Sequence, residues 1–378
     1  MKKIDALIIG AGPAGASCAF ALAAKGLKVV IIDKSAFPRP KVCGGFIGPQ
    51  SKELLSTFGV WGTLIAQGAH LIETSVLFSP QGISVAIPME QGNALGVSRH
   101  LLDHVLVTRI KELGVEVLEK AQARQIISNG NGHEIDVDHY GCNEVSRFHA
   151  RHLIDASGHR SPQHGSGNIQ LGIAALYEEM PQAKGQVSLF CCSKGHVGIN
   201  PFEDNKVNVC YVVEEGLFKE KNCDAQRVID GWVKENPALR QMVGGSHRMT
   251  PWKAVYVPLG NRIKLLDKGM WRVGDAAGFI NPITGSGVSV ALHSGQLLAQ
   301  ALTSEGTDIN RLKNYRRSYR KFFAGQRVLA GLWGELAHHS LSAEMVIRLL
   351  NSSDYFKSLS MRHSHPLLPM ESITEWRH

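Results

Sequence analysis

What this chain lacks narrows its class before any motif is read. No stretch reaches the roughly 18 uninterrupted apolar residues that a membrane helix needs. A cytoplasmic, soluble protein is therefore expected, one that is at most peripheral to a membrane. Cysteine is sparse: seven residues (Cys18, Cys43, Cys142, Cys191, Cys192, Cys210 and Cys223), an odd count with no C-x-x-C pair. That pattern argues for a reduced compartment and against a disulfide framework or a structural zinc, and no metal site is expected. Internal repeats and low-complexity tracts are absent. An apolar strand begins almost at Met1, which leaves no room for a cleavable signal. Charge excess is modest, with 41 Lys+Arg against 33 Asp+Glu and a net +8. Its densest run (Arg311, Lys313, Arg316, Arg317, Arg320, Lys321) reads first as a solvated helix face. No reading motif or aromatic interleaving accompanies it, so nucleic acid is not an expected partner, whereas contact with an anionic membrane surface stays open.

What is present is an ordinary globular composition, 44% hydrophobic and 20% charged over 378 residues, enough for two domains and a large core. Near the start, an apolar run breaks into G-x-G-x-x-G: Ala6 to Ile9, then Gly10-Ala11-Gly12-Pro13-Ala14-Gly15. Such a turn needs Gly10, lets backbone approach a phosphate at Gly12, and lets the next helix pack closely at Gly15. Free N–H groups and the positive end of the helix dipole then face a pyrophosphate. A second apolar strand, Lys28 to Ile32, ends at Asp33, the acid about 20 residues past the glycines that takes ribose hydroxyls. The carboxylate of Asp33, followed by Lys34, disfavours a 2′-phosphate.

Far downstream a second glycine-rich segment appears. Val273-Gly274-Asp275-Ala276-Ala277-Gly278 reads as a strand ending at a turn whose Asp275 meets ribityl or ribose hydroxyls. Pro282 to Gly287 then opens a helix over Val288 to Leu302. The small residues Gly285, Ser286 and Gly287 admit a planar ring, and the helix N-terminus stabilises negative charge on it. A dinucleotide at one motif and a planar ring at the other point to FAD. Because both motifs must build one site, the nucleotide-binding domain is expected to be discontinuous.

Between them the texture changes. Alternating segments at Val76–Phe78 and Ile83–Ile87 predict a hairpin, and Gln186–Phe190, Val197–Ile199 and Val207–Val213 predict more strands. Helical spacing runs from Ser98 to Leu113 and over Ala225 to Val233. The expected class is α/β: a discontinuous Rossmann-like FAD-binding domain (1–73, 98–165 and 263–305) with an inserted antiparallel substrate domain (74–97 and 166–262). Helices and a loose tail follow over 306–378.

The chain resembles the geranylgeranyl reductase branch of the flavoprotein monooxygenase superfamily, which has the para-hydroxybenzoate hydroxylase fold. The resemblance spans roughly residues 1–305 and rests on three segments. These are the G-x-G-x-x-G with Asp33, Pro40-Lys41-Val42-Cys43-Gly44-Gly45, and G-D-A-A-G-F followed by P-x-T-G-x-G. It implies that Arg99 contacts the cofactor near its pyrophosphate and that Lys41, Cys43, Gly44 and Gly45 lie by the flavin. The family's A-D-G stands here as Ala156-Ser157-Gly158, with the acid displaced to Asp155. The aromatic Y-x-W-x-F-P segment of the reductases corresponds to Val197–Phe202, which has no tryptophan. The W-x-W-x-I-P of flavin-dependent halogenases is absent.

Cys43 beside Lys41 is either a reactive thiol or a small residue that lets Gly44 and Gly45 pass close to the ring. His196 and His293 are the histidines expected near the substrate entrance and the flavin helix. No second G-x-G-x-x-G exists, so NAD(P)H docks transiently or a separate carrier supplies electrons. Two chemistries remain on one scaffold, with an apolar small molecule as substrate. Reduced flavin passes hydride to an isoprenoid-type C=C bond, or it captures O₂ as a C4a-hydroperoxide and hydroxylates an aromatic or polyketide-derived ring. A third reading is a FAD-binding redox sensor without turnover. The C-G-G segment favours reduction.

Overall fold

The structure, a computed structural model, describes residues 1–89, 93–142, 144–158, 169–181, 185–258 and 263–365. In the first half of the chain, Lys2–Ile9 (β1), Pro13–Ala24 (α1) and Val29–Asp33 (β2) form a βαβ unit. Thr74–Phe78 (β3) and Ser84–Pro88 (β4) follow, then Arg99–Glu112 (α2) and Glu116–Glu119 (β5). Three long strands close this half: Ala121–Asn129 (β6), Gly132–His139 (β7) and Val145–Asp155 (β8). The middle contributes Gln170–Glu178 (β9), Gln186–Cys192 (β10), Gly195–Pro201 (β11), Val207–Glu214 (β12) and Lys253–Val257 (β13). Met270–Arg272 (β14) and four helices complete the chain: Gly287–Thr303 (α3), Asp308–Ala337 (α4), Ser340–Ser352 (α5) and Asp354–Ser364 (α6).

Every residue of β2 is buried, as expected for a strand with both faces covered. In the first sheet β14, β8, β1, β2 and β5 lie side by side and parallel, with β7 attached antiparallel to β8 and β6 antiparallel to β7. Register sets Ile9 opposite both Ile32 and Asp155, so three strand ends meet at the glycine turn. The chain returns to this sheet after the middle region: Trp271 pairs with Ile154, and α3 packs on α1. That helix contact is close, because a Cβ on Gly295 would stand 2.4 Å from the Ala14 carbonyl oxygen. One core holds Ile8, Ile154, Trp271 and Leu292, so the Rossmann domain is discontinuous.

The second sheet runs β9, β12, β11, β10, β3, β4, antiparallel except for the β10–β3 pair, with β13 added on β9. Its strands follow a period of two. Val197, Ile199, Val209, Tyr211 and Val213 pack under the helices Ala225–Glu235 and Pro237–Val243. Their alternates His196, Gly198, Asn200, Cys210 and Val212 line a cavity on the other face.

Within the early loop, Phe46–Ile47 pairs with Ala94–Gly96. The helical region runs on to Ser364, at the end of α6. The expected tail (367–378) lies outside the described residues.

Candidate functional site

The glycine turn is built to leave backbone bare. A Cβ on Gly15 would stand 1.9 Å from the Gly10 carbonyl oxygen, so the turn closes only with glycine there. Gly12 is different: the nearest groups to its missing Cβ are the guanidinium nitrogens of Arg99 at 3.5 Å and Arg39 at 3.8 Å. The first helical turn, Pro13-Ala14-Gly15, thus opens toward two cations. Pro13 stands at its start and supplies no N–H, which suits a position where none is needed.

Asp33 is buried at the end of β2, where its Oδ2 accepts from the Ala11 N–H at 2.9 Å and its Oδ1 from the Ser35 N–H at 2.9 Å. Lys34, next to it, is exposed. Arg39 reaches Asp33 at 3.7 Å and Asp103 at 3.3 Å. Arg99 holds the same Asp103 through two hydrogen bonds, Nε at 2.7 Å and Nη2 at 2.8 Å. Burial works against the Arg99 charge, but Asp103 outweighs it and raises the pKa. Both guanidinium groups also stand beside Gly12 at the phosphate turn, where they can donate to a pyrophosphate.

Lys41 extends the same cleft. Desolvation, then the Arg99 charge, lower its pKa, while Asp275 and Asp103 pull the other way. Its Nζ lies 3.3 Å from where a Cβ of Gly158 would stand. Early loop, α2 and the Gly274–Ala276 turn therefore face one another, with Gly274 against Ala14 of α1. Asp155 stands at the β8 exit: its Oδ1 accepts from the Ser157 N–H at 3.1 Å and hydroxyl at 2.6 Å, and Arg272 stands 3.8 Å from its Oδ2.

The other end of the site lies where Cys43-Gly44-Gly45 and Pro282–Gly287 approach the second sheet. Gly45 is buried against Phe202, whose ring occupies the space a Cβ would need. The carbonyl of Gly44 accepts from Asn200 Nδ2 at 3.1 Å and from Asn208 Nδ2 at 3.2 Å, and Asn208 also donates to the Cys43 carbonyl at 3.1 Å. Cys43 Sγ accepts from the Gly45 N–H at 3.4 Å. Gly285 has φ of +66°, and a Cβ there would meet Phe46 at 2.7 Å. Gly44 and Gly287 have no atom within 4 Å of the place a Cβ would take. These are the residues that fit a flavin ring, laid along bare backbone at the N-terminus of α3.

Gly44, Phe46, Pro282 and Gly285 also form one wall of the cavity under the second sheet, whose volume is about 170 Å³. Leu77, Ile87, Met89, Val187 and Leu189 make most of its opposite side, and Trp333 closes it from α4. Polar groups on the wall are few. His196 is buried and its pKa falls to about 3, by desolvation and then by His338, stacked on it at 5.7 Å. Burial also lowers His365 to about 4 and raises the Cys210 thiol to about 12, with Cys43 adding to the latter.

His293 does not reach this cavity. It lines a separate small space with Gln50, Ser289 and Gln326, where burial lowers its pKa to about 4 although nearby Gln50 and Gln296 favour the protonated ring. His159 and His164 lie outside the described residues. Sequence reasoning missed Arg39, Asn200, Asn208 and the end of α6. There the Ser364 carbonyl accepts from Gln326 Nε2 at 2.6 Å and from the Ser286 hydroxyl at 3.2 Å, which ties the last helix to the start of α3. A hint existed in Asn200 and Asn208, two amides on otherwise apolar strands.

The comparisons agree with this geometry. The FAD binding domain family matches residues 3–326. Conditioned medium factor receptor 1 of Dictyostelium discoideum is 26% identical over 344 residues, covering 82% of this chain and 66% of that protein. Digeranylgeranylglycerophospholipid reductase 2 of Methanopyrus kandleri is 24% identical over 388 residues, covering 94% of each. Among solved structures, the flavin-dependent brominase Bmp2 superposes with a TM-score of 0.82 at 18% identity, over 100% of this chain and 98% of that one. The brominase shares the fold. A match over most of the chain, with a phosphate turn at one end of the site and a bare ring wall at the other, places this protein in the FAD binding domain family, as an FAD-dependent oxidoreductase.

Proposed function

We propose that this enzyme reduces a C=C bond in an uncharged, isoprenoid-type substrate. One observation carries the reading: the backbone wall that fits the flavin, Gly44 and Gly285, is also a wall of a mostly apolar cavity. When bound, reduced FAD supplies a hydride to one alkene carbon, the other carbon takes a proton, and the flavin is left oxidised. The chain's part is to hold the alkene against that wall and to keep water and charge away. His196 and His365 stay neutral above about pH 4 and Cys210 stays a thiol up to about pH 12, so these three groups add no charge to the cavity at neutral pH. A hydrocarbon chain suits such walls, and likeness to a digeranylgeranylglycerophospholipid reductase supports the same substrate class.

Electrons reach the flavin from NAD(P)H docking transiently or from a separate carrier. The sequence holds one dinucleotide fingerprint, and FAD takes it. The test is anaerobic. Protein reduced with dithionite is mixed with a geranylgeranyl-chain compound, and flavin absorbance and product mass are followed. Reoxidation with a product heavier by one H₂ supports reduction. Reoxidation that waits for O₂ and yields an oxygenated product means a monooxygenase, and no substrate response of either kind means a redox sensor.

A further inference from the structure

We infer that the outer face of α4–α6 docks on an anionic lipid bilayer. The three helices pack on one another, and each has an inner and an outer side. Inside, Trp333, Ser360 and Ser364 line the cavity, while Ala343, Ile347 and Leu350 of α5 pack against Ile87 and the second sheet. Outside, large apolar side chains stand in water at helical spacing. Val328, Leu332 and Leu336 follow one another on α4, and Leu341, Met345 and Leu349 on α5. Leu341 is 82% exposed, Met345 72% and Val328 64%, with Tyr355 and Phe356 of α6 exposed as well. Scattered surface leucines need no explanation, but eight large apolar residues on three touching helices form the kind of patch that marks an interaction site.

Charge selects the partner. The same exposed stripe of α4 begins in cations: Lys313, Arg316, Arg317, Arg320 and Lys321 are all exposed, and none has an ion-pair partner among the described residues. Basic residues over the first half and apolar ones over the second match an interface that offers phosphate headgroups beside acyl chains. A second copy of the chain would bring the same five unpaired cations to the contact. No helix among the described residues is long and apolar enough to cross a membrane, so the contact is peripheral. Its use rests on the proposed reduction of an isoprenoid chain. The helices that would touch the bilayer are the ones whose inner sides close the cavity, so a substrate dissolved in lipid has a short path to it.

Co-sedimentation of the full-length, flavin-loaded protein tests the surface without turnover. The probes are vesicles of phosphatidylcholine alone and vesicles containing equal parts phosphatidylglycerol. Wild type is expected to pellet with the anionic vesicles and to be released by high salt. Leu341→Asp with Met345→Asp should cut partitioning about tenfold or more, as should Arg316→Glu, Arg317→Glu and Arg320→Glu together. Flavin content and anaerobic reduction of a short, water-soluble prenyl substrate should stay at wild-type values in both variants. Wild type remaining in the supernatant with every vesicle overturns the inference, and so does undiminished pelleting of the Asp variant. A dimer that the Asp variant dissociates, without vesicle binding by wild type, would assign the face to a second copy instead. Failure of prenyl reduction with intact vesicle binding would sink the substrate reading and leave the surface standing.

Discussion

Asn208, on the second sheet, donates from one amide to the carbonyls of Cys43 and Gly44, at 3.1 and 3.2 Å. Strand β12 thereby sets where the loop wall stands relative to the cavity. Two carbonyls lose a buried donor in Asn208→Leu, which should lower stability by about 1–3 kcal/mol. Adding Asn200→Leu should release the loop. The expected signature is FAD still bound but hydride transfer slowed, because the pyrophosphate end does not depend on either amide. Stopped-flow reoxidation and thermal unfolding on the same preparations check this. Unchanged transfer in the double variant would mean that the loop holds its place without the sheet.

The glycines of the phosphate turn should fail in different ways. Gly15→Ala puts a methyl 1.9 Å from the Gly10 carbonyl oxygen and should cost the fold of the turn itself. At Gly12 the nearest groups are mobile guanidinium ends at 3.5 and 3.8 Å, so Gly12→Val should fold and yet lose its yellow colour. Gly285→Val, forced to a φ of +66° against Phe46, should lose both flavin and some stability. Absorbance at purification and circular dichroism separate the three. Stoichiometric FAD in Gly12→Val would remove the phosphate assignment.

Asp103 is fully buried and binds Arg99 and Arg39 together. Asp103→Asn leaves Arg99 charged in a buried place with no counter-ion, so a loss of about 3–5 kcal/mol is expected. Excess phosphate or added FAD should restore part of it, since either anion stands in for the missing carboxylate. Denaturant melts with and without FAD measure this. A variant as stable as wild type in the absence of FAD would mean that the arginines are solvated.

The βαβ unit, its acid and the start of α3 were legible because each is written in contiguous residues: a buried strand, a glycine turn, a helix, a strand ending at Asp33. Composition also separated the second sheet from the first. What the sequence hides is what register creates. Asn200 and Asn208 meet Gly44 only because β11 and β12 pair Asn200 with Asn208 side by side. Arg39 meets Asp103 across 64 residues of chain, and Ser364 meets Ser286 across 78, distances at which no spacing rule operates. Asp155 stands two places before the position that the resemblance marks, and its carboxylate meets Ser157 and Arg272.

Buried neutral histidines make stability depend on pH. Burial lowers the pKa of His293, His365 and His152 to about 4 and that of His196 to about 3, all below the ordinary histidine value of about 6.5. Between those limits the unfolded chain binds more protons, so stability is full above about pH 6.5 and falls as pH drops toward 4. The melting temperature should therefore decline over that window, and His293→Gln, which keeps a polar group near Gln50 and Gln296, should flatten the decline. A flat profile in wild type between those pH values would mean that these rings are hydrated.

Cavity shape should decide substrate length. Val187 and Leu189 of β10 line the space with Pro282, Ile283 and, from α4, Trp333. Val187→Trp adds bulk where only hydrocarbon is proposed to lie, well away from the phosphate turn. Flavin content and the rate of reduction by dithionite should stay unchanged, because neither uses this wall. For a geranylgeranyl chain kcat/KM should fall by roughly tenfold to a hundredfold, about what one to three kcal/mol of lost pocket contact produces. A substrate with a single prenyl unit, short enough to clear the indole, should lose much less. If both chains lose equally, the substrate does not extend along β10. If neither does, it enters by another route, and the wall assignment made from Gly44 and Gly285 would need a different occupant.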